Sequence, residues 1–335
     1  MTVTIVDART RPLEGIVLNH SEQELALQPY LFDAHGRQLE TGRQKFAALE
    51  SEQKVRGGNV LGLFGIEERG ERLLFSTRRF PFRDYFALRD LASGWVATGV
   101  PVDKRLLGAQ SALSMITITE TADDHLVFGY RSGDHLANRY LSPSGFYTYQ
   151  DVPDAEFLRS ITFEKVAESL GRKCFSPVMY LGLSHDDRDS FLFVHVLYQK
   201  LPYTSEQVYA GWMKKPVEQR KHDHLLFVSS ELKPLMDYVF HTGEHTFNYF
   251  SEPDVRFKNR KMISGPKEHL GKEYDHIENG VGALLLYIAH RYGPASTRSL
   301  CRDVVAQRIV SGIDGEPIWK GGLHTAFLNE MGMQR

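Results

Sequence analysis

Cysteine is almost missing from this chain, with only Cys174 and Cys301 in 335 residues. Two thiols this far apart make neither a disulfide framework nor a zinc knuckle, and each is read as a buried thiol. Long apolar runs are missing as well. The longest, around Val281 to Ala289, is about half a membrane span, and Met1 to Arg9 has no apolar stretch behind a basic start. Neither a membrane partner nor a secretory leader is expected, and the chain is read as cytoplasmic. Nor does one sign of charge prevail: 40 Lys and Arg stand against 42 Asp and Glu, a net charge of -2. A surface that tracks nucleic-acid phosphates shifts that balance basic, so no nucleic-acid partner is expected. The chain also lacks a G-x-S-x-G elbow, a Walker loop, a G-x-G-x-x-G after a strand and a C-x-x-C pair, which removes the serine-hydrolase, P-loop and Rossmann readings. No internal repeat or low-complexity tract is present.

What is present suits a globular protein with a sizeable core, since 42% of the residues are hydrophobic. The length allows roughly two domains. Composition and pattern divide the chain into a mixed α/β region at 1–105, a central region at 106–235 and a helical, loop-rich region at 236–335. In the first region Leu25 to Phe32 reads as an edge strand and Thr41 to Glu50 as a helix. Val60 to Ile66 and Leu73 to Thr77 read as a hairpin around Arg69-Gly70, and Asp84 to Asp90 as a capped helix. In the second region Ala112 to Thr119 and Leu126 to Arg131 form a hairpin around Asp123-Asp124. Asp154 caps a helix over Ala155 to Leu170, with Phe157, Ile161, Val166 and Leu170 on one face and Gly171 as its stop. Val178 to Leu183, Phe191 to Tyr198 and Leu225 to Val228 are further strands. The second of these is nearly all apolar and is expected at the sheet centre. Ser229 or Ser230 caps a helix from Glu231 to Phe240, and Ile277 to Arg291 is a helix stopped by Gly293-Pro294.

The segment Ser142-Pro143-Ser144-Gly145-Phe146, then Glu156, then Glu164-Lys165-Val166-Ala167-Glu168-Ser169-Leu170-Gly171 joins a loop glycine, a glutamate-bearing helix and a closing glycine. It resembles the catalytic box of the Nudix family, G-x5-E-x7-R-E-U-x-E-E-x-G-U, where U is a bulky apolar residue. The order of hairpin, glycine loop, helix and two strands is also similar to that family over about residues 106 to 235. The stretches Asn59 to Gly62 and Asp84 to Phe86, and the late helix around Asn279 to His290, are similar to extensions on larger Nudix-like proteins. The fold class so implied is α+β, a Nudix-like mixed-sheet sandwich with an N-terminal mixed α/β domain and a C-terminal helical extension.

The resemblance implies a hydrolase of a nucleoside or other small-molecule diphosphate. Glu168 and Glu164 would be its catalytic residues, and Mg2+ or Mn2+ would be held by Glu168 with Glu164 or Glu156. Arg131 and Arg139 border the implied cleft and are its phosphate ligands. Gly145, Phe146 and Tyr147 line it, with Phe146, Tyr147 and Tyr149 either stacking on a base or packing the loop onto the core. The box departs from its pattern at four positions. Glu164 stands at the arginine, Lys165 at the first metal-binding glutamate, Ser169 at the last and Arg172 at an apolar position. Gly145 is also displaced by an insertion through Phe146 to Pro153. Sliding the alignment by one residue places Glu164 and Glu168 at the first and last metal positions. A magnesium site needs several hard carboxylate oxygens, and an ammonium beside a single glutamate disfavours one. Two alternatives therefore stand beside hydrolysis: a nucleotide- or ligand-binding module in which Lys165 points inward in place of the metal's charge, and a Nudix fold reused for non-hydrolytic chemistry. An ordinary amphipathic surface helix is the bland alternative.

Three further constellations carry weaker signals. His241-Thr242-Gly243-Glu244-His245 fits the inverted zinc-protease motif H-x-x-E-H, although Gly243 costs its helix about 1 kcal/mol relative to alanine. His222 and His224 would face the same way in a strand, with Asp223 opposite. The basic stretch from Arg256 to Lys272 suits a phosphate or a solvated loop.

Overall fold

A computed structural model of the chain describes residues 3–24, 29–52, 57–98, 111–131, 139–148, 155–186, 192–222, 224–232, 234–235, 248–251, 278–297, 310–311 and 322–333. The chain begins with β1 (Val3–Asp7), β2 (Arg11–Pro12), a 3-10 turn (Leu13–Gly15) and β3 (Ile16–Glu24). Helix α1 (Pro29–Ser51) leads to the hairpin β4 (Asn59–Arg69) and β5 (Arg72–Pro81), followed by α2 (Phe82–Ala97). Then come β6 (Ser111–Glu120), β7 (His125–Arg131), β8 (Arg139–Leu141), β9 (Ser144–Phe146), α3 (Ala155–Leu170), β10 (Val178–Asp186) and β11 (Leu192–Lys200). Helix α4 (Ser205–Met213), β12 (His224–Ser229), β13 (Asn248–Ser251), α5 (Glu278–Tyr292), β14 (Val310–Ser311) and α6 (Thr325–Glu330) complete the described elements.

These fourteen strands hydrogen-bond into one mixed sheet, giving an α+β fold with helices on both faces. Its spine runs β13-β12-β7-β6-β11-β10-β1-β14, and β3, β5 and β4 branch off where Gly62 and Leu63 pair with Ala112 and Ser111. Strands on both sides of residue 105 therefore share hydrogen bonds, β1 with β10 and β4 with β6. The nearly all-apolar β11 lies inside the sheet, antiparallel to β10 and parallel to β6.

Burial on two faces explains the composition of β6, all ten of whose residues are buried. Ala112, Ile116 and Ile118 enter one core with α2 and α5, while Leu113 and Met115 enter the other with α3 and α6. This is the period-2 alternation of a strand covered by helices above and below. Helix α5 seals the first face with Leu284, Leu285, Leu286, Tyr287 and Ile288, each at most 1% exposed. Each such side chain contributes roughly 1.5–3 kcal/mol of burial. A fully buried carboxylate also ties α5 down. Glu120 Oε2 accepts hydrogen bonds from Tyr198 at 2.6 Å and Tyr287 at 3.0 Å, while Lys200 and Arg291 stand 3.9 Å and 3.8 Å from Oε1.

The expected hairpins, the apolar strands and the helices at 155–170 and 277–291 all form, with β4, β5 and β10 running three or four residues past their expected ends. The expected edge strand at 25–32 does not agree with the fold. Residues 25–28 lie outside the described residues, and Pro29 to Phe32 open α1. Proline is well suited to a first helical position, where its missing N–H has no partner to lose. Helix α1 kinks at His35, beside Gly36. Among the described residues no helix is long and apolar enough to cross a membrane.

Candidate functional site

Helix α3 carries the candidate site because its sequence separates two apolar patches from one charged edge. Phe157, Leu158 and Ile161 pack into the core shared with α6, and Val166 and Leu170 into a third core with Trp212 of α4 and Leu225 and Phe227 of β12. Gly171 ends the helix with φ +75°, donating to Ala167 O at 2.9 Å. A side chain there would suffer twice. The left-handed backbone region disfavours it, and its Cβ would lie 3.0 Å from Gly211 O.

The three glutamates of this helix meet different fates. Glu156 projects outward and binds Arg159 at 2.5 Å, and Arg159 also holds Glu14 at 2.6 Å. Glu164 is exposed to solvent. Glu168 is drawn into a cluster, with Lys165 Nζ 3.2 Å from both its oxygens and Lys221 Nζ 3.6 Å from Oε2. Lys221 also donates to Ser144 O at 3.4 Å, and Lys215 caps the end of α3 by donating to the carbonyls of Ala167 and Glu168 at 3.2 Å and 2.9 Å. Two ammonium groups thus face one carboxylate, and a third holds the helix end behind it. Burial works against ionisation of Glu168, yet Lys165 and Lys221 outweigh it and hold the carboxyl below its usual range.

The loop glycine joins the same cluster. Strand β9 pairs with β6, Gly145 opposite Met115, and this sets Gly145 against Lys165 so closely that a Cβ would lie 3.0 Å from Lys165 Cε. The structure therefore brings together Gly145, Lys165, Glu168 and Lys221. It does not gather Glu156 and Glu164 around them.

The two aromatic residues after Gly145 are engaged in packing. Phe146 sits edge-on to Phe82 and Tyr85 of α2, with ring centroids 5.1 Å away in each case. Tyr147 is completely buried, its hydroxyl 3.1 Å from His195 Nδ1 and its ring against Phe157. Burial raises the tyrosine's pKa and pushes the His195 imidazole down to about 3. Arg131 pairs in register with Arg139 across β7 and β8, which places the two expected phosphate ligands at adjacent backbone positions. His222 is buried against Gly129, and β12 starts only at His224, so the two histidines do not alternate along one strand. Tyr149, Asp154, Asp223, His241, Gly243, His245 and the basic stretch 256–272 lie outside the described residues.

The described residues do not fit a Mg2+ or Mn2+ site. Among them no group of three or more His, Cys, Asp or Glu side chains is placed to hold a metal ion, and the one glutamate of the cluster already faces two ammonium groups. A hard divalent ion needs several carboxylate or carbonyl oxygens, and these ammoniums repel it. Sequence reasoning missed Lys221 and Lys215, which reach α3 from the segment after α4 and follow no motif spacing. It also missed His195, whose only signal is a polar residue inside an apolar strand.

The chain matches no protein-family model and no curated protein sequence.

Proposed function

We propose that this chain is a Nudix-like module that binds a phosphate-bearing small molecule, a nucleotide or another diphosphate, without a metal ion. The order of hairpin β6–β7, glycine loop, α3 and the strands β10 and β11 supports the Nudix-like part of the reading. The ammonium pair on Glu168 carries the rest. Lys165 and Lys221 occupy the charged edge of α3 beside Gly145 and Ser144, and both ammonium groups stand against the carboxylate of Glu168. An incoming phosphate exchanges with Glu168 for these donors, as charge-assisted hydrogen bonds allow. The hydrolytic alternative needs Glu168 as a metal ligand, and the two lysines oppose that role.

Calorimetric titration with a nucleoside diphosphate such as ADP tests the reading. Binding persists in excess EDTA and weakens by about tenfold or more, or 1.4 kcal/mol, in Lys165→Ala and in Lys221→Ala. Glu168→Gln leaves binding intact or tightens it, because it removes the carboxylate that competes with the phosphate for both ammonium groups. No binding at all, or binding that requires Mg2+, overturns the reading. Mn2+-dependent turnover lost in Glu168→Gln restores the hydrolase.

A further inference from the structure

Two arginines far along the chain from α3 are left with unused donors. Arg9 and Arg11 lie at the connection from β1 to β2 and meet two carboxylates, Asp7 at the end of β1 and Glu68 near the end of β4. Asp7 is completely buried. Its Oδ1 accepts from Arg9 Nε at 3.2 Å and from the Arg9 backbone N–H at 3.4 Å, and its Oδ2 accepts from the Tyr180 hydroxyl at 3.3 Å. Glu68 accepts from Arg9 Nη1. Arg11 is only 7% exposed, yet its Nη2 stands 3.9 Å from Asp7 and 3.6 Å from Glu68, within ion-pair range but beyond a hydrogen bond.

The consequence is a buried guanidinium whose Nε–Nη2 edge is ion-paired at long range but makes no close hydrogen bond. Among the described residues, Arg11 Nε and Nη2 and Arg9 Nη2 have no hydrogen-bond partner. A buried charged donor without a close hydrogen bond recovers only part of its desolvation penalty from ion pairs at this range, and folded proteins leave few donors so. Nε and Nη2 form the side of a guanidinium on which two N–H bonds run parallel. That side grips two oxygens of one carboxylate or phosphoryl group.

We infer that Arg9 and Arg11 form a second binding site, for a small oxyanion held bidentately by Arg11 Nε and Nη2 with Arg9 Nη2 as a third donor. The cluster reaches solvent through Arg9 and Glu68, whose side chains are 22% and 30% exposed. Its charges balance before the anion enters, two guanidiniums against Asp7 and Glu68, so the added negative charge is best matched by a proton. Asp7 is placed to take it. Burial already pushes its carboxyl up against the pull of Arg11 and Arg9. The titratable groups facing one another here are Asp7, Arg9, Arg11, Glu68 and Tyr180, and affinity rises as pH falls toward the carboxylate range.

Melting of the full chain in phosphate, acetate and chloride at one ionic strength tests the site. A Lys165→Ala, Lys221→Ala background separates its failure from failure of the α3 site. The melting temperature rises saturably with phosphate, acetate or both, but not with chloride, and Arg11→Gln weakens the response by about tenfold or more. A larger response to phosphate assigns a phosphoryl ligand, and a larger one to acetate a carboxylate. A response equal to that in chloride, or unchanged in Arg11→Gln, overturns the proposal. Because Arg11→Gln also perturbs buried packing, wild-type crystals soaked in selenate give an independent reading. Anomalous density within hydrogen-bond distance of Arg11 Nε and Nη2 supports the site, and water alone at that position overturns it.

Discussion

His195 is an imidazole sealed among Phe75, Tyr147 and Tyr180, with ring centroids 4.3, 5.5 and 5.7 Å away. Burial keeps it neutral down to about pH 3, whereas an unfolded chain protonates it near pH 6.5. The unfolded state therefore binds the extra proton throughout that window, and stability falls as pH falls through it. From pH 7 to pH 5 this one ring removes about 2 kcal/mol. Urea denaturation at the two pH values shows a correspondingly smaller loss in His195→Gln than in the wild type. Glu168 has the opposite sign of group and a gentler effect. Its carboxyl is held below the usual range, so its contribution is present above the unfolded carboxylate pKa and is lost as pH falls through the folded one. With the side chain 41% exposed, solvent screening keeps that contribution below about 1 kcal/mol. Glu168→Gln thus changes the denaturation midpoint little at pH 7 and flattens the acid limb of the stability profile.

At the scale of single elements, glycines separate backbone strain from steric contact. Gly70, at the β4–β5 turn with φ +61°, has no heavy atom within 4 Å of the place a Cβ would take, so Gly70→Ala costs only the conformational penalty of about 1 kcal/mol. Gly171 has a similar φ but faces the backbone of Gly211 and Trp212 at 3.0 and 3.1 Å. Gly171→Ala costs about 2 kcal/mol or more, by the same denaturation measurement. Helix α3 itself was legible in the sequence. Its apolar positions Phe157, Ile161, Val166 and Leu170 follow helical spacing, and Gly171 marks its end. The partners of Glu168 were not legible, because Lys221 arrives from another element and long-range contacts leave no local period. The start of α1 was obscured by Pro29, which serves a first helical turn as readily as an edge strand. The aromatic pair Phe146 and Tyr147 left stacking and packing open, since the choice depends on α2 and β11 and not on the loop.

For the whole molecule, Glu120 joins the end of β6 to β11 and α5. Glu120→Gln keeps an acceptor for Tyr198 and Tyr287 and loses only the attraction to Lys200 and Arg291. Glu120→Ala removes the acceptor and the counter-charge together, at a cost of about 3–5 kcal/mol. Hydrogen exchange distinguishes the two: amides of α5 lose protection much more in Glu120→Ala than in Glu120→Gln. The same long reach holds across the sheet, where Asp7 meets Tyr180 at a separation of 173 residues and β6 binds β11 across a separation of 79.

Such pairings make the order of assembly a matter of time. Loop closure precedes the contacts that compensate for it, so a chain built on distant strands folds slowly. During synthesis β1, with its apolar Ile5 and Val6, leaves the ribosome long before β10 exists to pair with it. Until β10 and then β14 arrive, that first strand has backbone groups open to the wrong partner, an interval in which aggregation competes with folding.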